Sequence, residues 1–197
     1  MTPVRSLTPD EAQQSFRAFL DALAHPGRIV PLDTAALPAG RSSALLPMLA
    51  LTDLMTPIAT LDEQDEDLRE LAIVTGAPVV PLGEARWVLG TSGSVSRFRE
   101  LSSGVALHPE RGAVVCLQVD LLGTGPAYEL RGPGIDGCMR LQVTGLPDGF
   151  ARARSELIDT PPCGVDFLLV APHAVAAIPR TTTLSTVPLT ESAEAIA

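Results

Sequence analysis

The chain has 197 residues, of which 46% are apolar, 19% charged and 4% aromatic, and its formal net charge is −9. This composition excludes an intrinsically disordered chain, a collagen-like repeat and a small disulfide-rich protein. The acidic balance also argues against binding to nucleic acid or to an anionic membrane through overall charge.

All 14 basic residues are arginines, because the sequence contains no lysine. A pyridoxal phosphate enzyme holds its cofactor on a lysine amine, and a Walker-type loop needs a lysine on the phosphates. The chain can supply neither chemistry, and we expect it to bind no cofactor. An anion bound here must be held by arginine, backbone N–H groups, helix N-termini or a metal carried by the ligand.

The cysteines and the apolar stretches give further exclusions. Cys116, Cys138 and Cys163 lack metal-finger or redox spacing, so we predict buried reduced thiols and no metal site. The N-terminus has no signal-peptide pattern, and the longest apolar stretch, Phe167–Ile178, is interrupted and shorter than the ~20 residues of a spanning helix. These features predict a soluble, cytoplasmic protein.

The first helix is strongly indicated by its capping residues. Thr8 and Glu11 form a capping box, and Pro9 occupies the first helical position. His25-Pro26-Gly27 ends the helix. The apolar residues at helical spacing predict one stripe facing the core: Ala12, Phe16, Phe19, Leu20 and Leu23.

Strands and helices then intermingle along the chain. The predicted strands are Arg28–Leu32, Pro57–Leu61, Ala85–Leu89, Ala113–Leu121, Tyr128–Arg131, Cys138–Val143, Val165–Val170 and Ala174–Ile178. The predicted later helices are Ser43–Leu51, Val95–Leu101 and Asp148–Asp159. The acidic run Asp62–Glu70 opens a further helix, whose apolar side is Leu68, Leu71 and Ala72. We interpret the acidic run of residues 62–70 as a solvated face.

This order predicts an α/β fold with a mixed sheet flanked by helices. We expect a single domain over residues 1–184 and a flexible C-terminal tail over residues 185–197. So apolar a chain of this size also leaves apolar surface for a partner, which favours an oligomer or a complex subunit.

Two glycine-rich stretches match catalytic motifs only in part. Residues 132–137 fit the dinucleotide fingerprint G-x-G-x-x-G, but a strand rather than a helix is predicted after them, which favours a turn. Residues 90–94 are similar to the nucleophile elbow of hydrolases, but the second glycine is one position early. Neither His108 nor His173 is clearly placed to serve as its base.

The C-terminal hairpin brings a carboxylate close to an arginine. A turn at Pro172-His173 sets a register in which Asp166 lies near Arg180. One interpretation is a structural ion pair that fixes the end of the hairpin. The other is an arginine oriented by its carboxylate toward a bound anion or an acidic partner. The candidate ligand- or partner-binding residues are Arg28, Asp166, Arg180, Thr181 and Thr182.

Short motifs also follow one another in a specific order and spacing. They are Ser15-Phe16-Arg17 through Pro26-Gly27, Thr75-Gly76-Ala77-Pro78, Leu101-Ser102-Ser103-Gly104, Pro109-Glu110-Arg111-Gly112, Gly132-Pro133-Gly134-Ile135, Pro162-Cys163-Gly164-Val165-Asp166 and Ala177-Ile178-Pro179-Arg180-Thr181-Thr182. From about Ala12 to Thr182, the chain resembles the PhnH family, a component of the carbon–phosphorus lyase complex of phosphonate catabolism.

The resemblance implies a protein that assembles with the G, I and J subunits of that complex and acts together with its L subunit. The implied first reaction displaces adenine from ATP by methylphosphonate and gives ribose 1-methylphosphonate 5-triphosphate, with the chemistry assigned chiefly to the I subunit. The resemblance also implies a fold like the large domain of pyridoxal phosphate-dependent transferases without the cofactor, and a homodimer in isolation.

Three functions are therefore considered. The first is a non-autonomous subunit of this lyase and transferase complex, with no catalytic residue identified in the chain itself. The second is a phosphonate- or nucleotide-binding protein that uses Arg180 and its neighbours. The third, an independent enzyme, has no positive feature in the sequence.

Overall fold

A computed structural model describes residues 2–62, 65–90, 95–158 and 161–187. The helices are α1 (Pro9–Ala24), α2 (Leu45–Leu51), α3 (Glu66–Thr75) and α4 (Phe150–Ser155). The strands are β1 (Val30–Pro31), β2 (Ile58–Thr60), β3 (Trp87–Gly90), β4 (Val114–Gln118), β5 (Leu121–Arg131), β6 (Met139–Thr144), β7 (Asp166–Ala171), β8 (Ala174–Ile178) and β9 (Thr183–Thr186). Short 3-10 turns occupy Leu82–Glu84, Val95–Glu100 and Pro109–Arg111.

Six of these strands form a mixed sheet in the order β1-β8-β7-β4-β3-β2. Strands β2, β3, β4 and β7 are parallel neighbours, whereas β8 and β1 continue the sheet in antiparallel fashion. A separate antiparallel sheet has the order β6-β5-β9. The predicted α/β fold with a mixed sheet flanked by helices is therefore confirmed.

The two faces of the six-stranded sheet have separate cores, because side chains alternate along each strand. On one face, Leu168 of β7 packs in a cluster with Phe19 of α1 and with residues of α2 and α3. On the other face, Phe167 packs against Phe98 and Phe150, whose ring centroids lie 5.3 and 5.2 Å away. The second sheet contributes to this second core.

Helix α1 begins as predicted, but the prediction of which of its apolar residues face the core is partly wrong. Thr8 caps the helix and the capping box with Glu11 is present. Phe19 is buried, yet Phe16 and Leu20 remain 45% and 53% exposed. The buried side of the helix is instead the narrower line Ser15, Phe19 and Ala22. Periodicity predicted the face correctly at its centre and overestimated its width.

Several predicted boundaries move by a few residues. The strand predicted at Arg28–Leu32 is reduced to Val30–Pro31, which pairs with β8. Helix α3 begins after Asp65, whose carboxylate accepts the N–H groups of Asp67 and Leu68, and continues to Thr75. Helix α4 covers only six residues of the helix predicted over Asp148–Asp159. The β5 strand is longer than predicted because β6 pairs along it.

The end of the described chain forms β9, which no sequence signal predicted. Its residues pair antiparallel with β5, in the register Tyr128↔Thr186 to Arg131↔Thr183. Residues 185 and 186 of the predicted tail therefore lie within a strand, and residues 188–197 lie outside the described residues.

The predictions for the glycine-rich stretches and the cysteines are confirmed in part. The glycine-rich stretch 132–137 is a turn leading into β6, as predicted, whereas residues 91–94 of the second motif lie outside the described chain. The prediction of buried thiols is confirmed for Cys116 only. It is wrong for Cys138, which is exposed, and for Cys163, which is half-buried. In the ranges described above, no helix combines the length and apolarity needed to cross a bilayer.

The acidic run of α3 is not simply a solvated face, because two of its carboxylates hold a buried arginine. The Arg41 side chain is only 1% exposed; its Nη1 donates to Asp67 at 2.6 Å and its Nη2 donates to Glu70. Glu70 also accepts the backbone N–H of Val4 at 2.8 Å. One guanidinium thus joins α3 to the loop before α2, and Glu70 extends this link to the N-terminal segment.

We predict that Arg41→Ala lowers the free energy of unfolding by roughly 2–3 kcal/mol, since charge-assisted hydrogen bonds are lost and two carboxylates are left facing each other. Urea denaturation would measure the loss. Arg5→Ala is a matched control, because Arg5 pairs with Glu11 at 2.7 Å but is 52% exposed. The control should change stability much less, and equal losses in the two variants would contradict the prediction.

A pH dependence follows from the same network. The Val4 N–H and the Arg41 guanidinium hold the pKa of Glu70 below its ordinary value. A lowered pKa in the folded state stabilises the fold above the unfolded pKa of about 4.3. This contribution is lost as the pH falls from about 4.3 through the folded value.

We predict that Glu70→Gln, which cannot ionise, reduces the acid-induced loss of stability between about pH 5 and pH 3. Urea titrations at a series of pH values would measure the slope. Asp53→Asn is the comparison: local hydrogen bonds from Thr56 and Met55 also lower the pKa of Asp53, so this variant should reduce the slope as well, without involving the Arg41 network. An unchanged slope in Glu70→Gln would show that Glu70 is not linked to folding.

Candidate functional site

The amino ends of the parallel strands meet at one edge of the large sheet, here called the amino edge. Arg86 precedes β3, Gly112 lies just before β4, and Asp166 is the first residue of β7. Because β8 runs antiparallel to β7, with Phe167 opposite Ile178, the chain returns to this edge at Arg180. Residues distant in the sequence are thereby collected in one place.

The predicted proximity of Asp166 and Arg180 is confirmed, and the contact is extensive. The Arg180 backbone N–H donates to Asp166 Oδ1 at 2.7 Å. The guanidinium donates to the same carboxylate from Nε at 3.1 Å and from Nη2 at 2.5 Å. Its Nη1 donates to the carbonyl oxygen of Pro109 at 2.5 Å. Each guanidinium nitrogen of Arg180 therefore has a partner within the protein.

Two glycines make room for this arginine. A Cβ atom on Gly112 would lie 2.8 Å from Arg180 Nη1 and would collide with the carbonyl oxygen of Gly164. Gly164 has a φ of +148°, and a Cβ atom there would lie 2.8 Å from the Cβ of Arg180. The glycines of two of the short motifs thus allow Arg180 to reach both Asp166 and Pro109.

A second arginine, Arg154 of α4, lies under the same edge and was missed by the sequence analysis. It is 1% exposed, and its Nη2 donates to the carbonyl oxygen of Pro179 at 2.6 Å. Burial lowers the pKa of Arg154 to about 10, against the opposing field of Asp166. Its place between Phe150 and Leu157 at helical spacing is the signal that could have revealed it.

A third arginine, Arg86, is half-buried and opens into a cleft. Its Nη1 donates to the carbonyl oxygen of Gly112. Burial, and then the positive charge of Arg180, lower the pKa of Arg86, while Asp166 and Glu110 oppose the shift. The cleft has a volume of about 620 Å³ and is lined by Met55, Pro57, Gly83, Glu84, Arg86, Ser102, Glu110 and Arg111.

The other three predicted site residues, Arg28, Thr181 and Thr182, are not part of the ion pair between Asp166 and Arg180. Arg28 is exposed and contacts Asp21 of α1 at 3.3 Å, so it is not held by Asp166. Thr181 is exposed. Thr182 is fully buried, and its hydroxyl has no hydrogen-bond partner within the described part of the chain. The structure therefore joins two of the five predicted residues directly.

In this arrangement Asp166 is bonded to Arg180, and its negative charge also acts on Arg86 and Arg154. Such a cluster can fix strand ends and attract a further anionic group at its open member, Arg86. Residues 2–62, 65–90, 95–158 and 161–187 contain no group of three or more His, Cys, Asp or Glu residues that could hold a metal. Fold and site together define an α/β protein with an arginine-rich strand edge beside an open cleft.

Comparison with known proteins identifies the family. Residues 6–185 match the family model described as bacterial phosphonate metabolism protein (PhnH). A Stutzerimonas stutzeri protein named putative C-P lyase subunit protein HtxG is 37% identical over 177 residues, covering 86% of this chain and 84% of that protein. The Rhizobium meliloti (strain 1021) protein named alpha-D-ribose 1-methylphosphonate 5-triphosphate synthase subunit PhnH is 33% identical over 181 residues, covering 88% and 90%.

The chain belongs to the PhnH family, as its motifs predicted. The motif glycines at positions 112 and 164 and the Asp166–Arg180 pair lie within the matched region. The arginine-rich amino edge is thus part of the fold that the family match covers.

We predict that Asp166→Asn lowers the free energy of unfolding by roughly 3 kcal/mol, because the largely buried guanidinium of Arg180 loses its bonded counter-charge. Arg180→Met combined with Asp166→Asn should destabilise less than the sum of the single changes, by about 0.5–3 kcal/mol. Urea denaturation of the four proteins in this cycle would measure the coupling. Additivity within about 0.5 kcal/mol would show that the pair does not act as a unit.

Proposed function

We propose that the protein is a non-autonomous subunit of a carbon–phosphorus lyase assembly. In this role it supports the formation of ribose 1-methylphosphonate 5-triphosphate from ATP and methylphosphonate. The observation that carries the proposal is the extent of the match, because residues 6–185 fit the PhnH family and two relatives named as subunits are covered over 84% and 90% of their lengths. Similarity over the whole fold supports a shared role better than similarity of one motif.

The geometry supports a role that depends on other proteins. The donors of Arg180 are used within the chain, by Asp166 and Pro109, which supports a structural role for that pair. Several large apolar side chains beside the cleft remain exposed, among them Met55 at 86% and Leu107 at 87%. Exposed apolar surface next to an arginine-lined cleft is typical of an interaction site.

The finer features are part of the same proposal. The partners would be the G, I and J subunits, with the L subunit acting in the same reaction, and the isolated chain would form a homodimer in the cytoplasm. Residues 1–184 would form one domain related to the large domain of pyridoxal phosphate-dependent transferases without its cofactor. The six-stranded sheet, with α1, α2 and α3 on one face and α4 and the second sheet on the other, is compatible with that relation.

The alternative function, binding of a phosphonate or a nucleotide through Arg180 and its neighbours, has less support. Arg180 is engaged by Asp166 and Pro109, and Arg28 contacts Asp21 instead. A small anion at this edge would therefore bind through the arginines that line the cleft, Arg86 and Arg111. Calorimetric titration of the free protein with ATP and with methylphosphonate distinguishes the two functions, since the subunit role predicts no heat of binding.

We predict that the affinity-tagged chain, co-expressed with the G, I and J subunits of its own organism, copurifies with them in a fixed ratio. The tagged chain expressed alone, with its fold verified by circular dichroism, is the control for self-association. Size-exclusion chromatography with light scattering would measure both assemblies. A folded chain that never joins the other subunits would refute the proposed function.

A further inference from the structure

Exposed apolar side chains border the arginine-lined cleft on several sides. They belong to the loop between α2 and β2, to the segment that follows α3, and to the turn before the 3-10 segment Pro109–Arg111. These residues, called here the cleft rim, are Leu54, Met55, Val79, Val105 and Leu107. These side chains are exposed to solvent, whereas the apolar side chains of the neighbouring strands are buried in the two cores.

The backbone places these residues around one opening. Met55 itself lines the cleft, together with Glu110 and Arg111. Val105 forms a bridge with His108, so the turn that carries Leu107 leads directly into the cleft wall. Val79 pairs with Ile58 beside Pro57, another lining residue. Met55 thus lines the cleft itself, and the other rim residues lie on segments that lead into its wall.

Hydration of this surface is unfavourable. Leu54, Met55 and Leu107 are 74%, 86% and 87% exposed. Burial of these side chains against an apolar partner removes this unfavourable hydration. A contiguous apolar patch with polar residues beside it is the usual mark of a protein interface.

The charges in the cleft select the chemistry of the occupant. Arg86 lies close to Arg180, because Arg86 Nη1 donates to the carbonyl oxygen of Gly112 and a Cβ atom on Gly112 would lie 2.8 Å from Arg180 Nη1. Asp166 is bonded to Arg180. The cleft is lined by two arginines, Arg86 and Arg111, and by two glutamates, Glu84 and Glu110. A single carboxylate can pair with Arg86 there, whereas the several negative charges of a polyphosphate would be repelled more strongly by the two glutamates.

We propose that the cleft and the cleft rim bind a segment of a partner subunit in which an Asp or Glu carboxylate, flanked by apolar side chains, pairs with Arg86. Arginine suits this role because its planar guanidinium binds a carboxylate through two parallel hydrogen bonds. This inference rests on the proposed function, since the partner is another subunit of the same assembly. It adds the surface and the chemistry of that contact.

The test measures binding of purified variants to the assembled partner subunits by biolayer interferometry. Leu107→Glu and Met55→Glu should each weaken binding at least tenfold, because each places a charge among apolar side chains. Arg86→Gln should weaken binding and reduce its dependence on salt, since the lost contact is ionic. The matched control is Leu20→Glu on α1, where the leucine is 53% exposed away from the cleft rim; it should bind like the unmodified chain.

The possible results distinguish failure of the proposed binding surface from failure of the proposed subunit function. Failure of the unmodified chain to bind its partners would refute the proposed function itself. Normal binding by both Leu107→Glu and Met55→Glu would refute the proposed binding surface and leave the proposed subunit function standing, whatever the effect of Leu20→Glu. Because Leu107 and Met55 are highly exposed, these two variants keep the test valid even if Arg86→Gln fails to fold.

Two further results would assign the cleft to a different occupant and would also overturn the inference. One is a homodimer that dissociates in Leu107→Glu, by light scattering, while subunit binding is kept. The other is calorimetric binding of ATP or methylphosphonate that Arg86→Gln abolishes without any change in subunit binding.

Discussion

The amino edge depends on the ion pair between the Asp166 carboxylate and the Arg180 guanidinium. Through Arg180 this carboxylate joins the start of β7 to the end of β8, and Arg180 in turn holds Pro109, 71 residues away in the sequence. The same carboxylate offsets the charges of Arg86 and Arg154. Buried guanidiniums are tolerated only where a counter-charge and hydrogen-bond acceptors are fixed nearby.

The glycines of the family motifs acquire a physical explanation from this arrangement. Gly112 and Gly164 lie where a side chain would collide with backbone or with Arg180. They permit the strand ends to approach closely enough for one arginine to bridge β7 and the loop before β4. These two glycines therefore serve the amino edge, and the glycine-rich stretch 132–137 forms a turn before β6 rather than a nucleotide loop before a helix.

Charge is distributed unevenly over an acidic protein. Arg41 is paired with two carboxylates of α3, Asp67 and Glu70, so that cluster has no positive charge to spare. At the amino edge, by contrast, Arg86 opens into a cleft bordered by exposed apolar residues. A subunit that completes its structure through neighbours needs one such surface, where burial of apolar side chains supplies affinity and a charge pair supplies orientation.

The sequence by itself determined what depends on nearby residues: the Thr8 capping box, the β7–β8 hairpin whose register brings Asp166 to Arg180, and the order of the family motifs. Hydrogen bonds and side-chain periodicity act over a few positions and leave a readable pattern. Only the tertiary structure decided that Arg154 is buried and that Leu20 is exposed. Burial depends on which distant segments pack against a side chain, and the local pattern of residues does not contain that information.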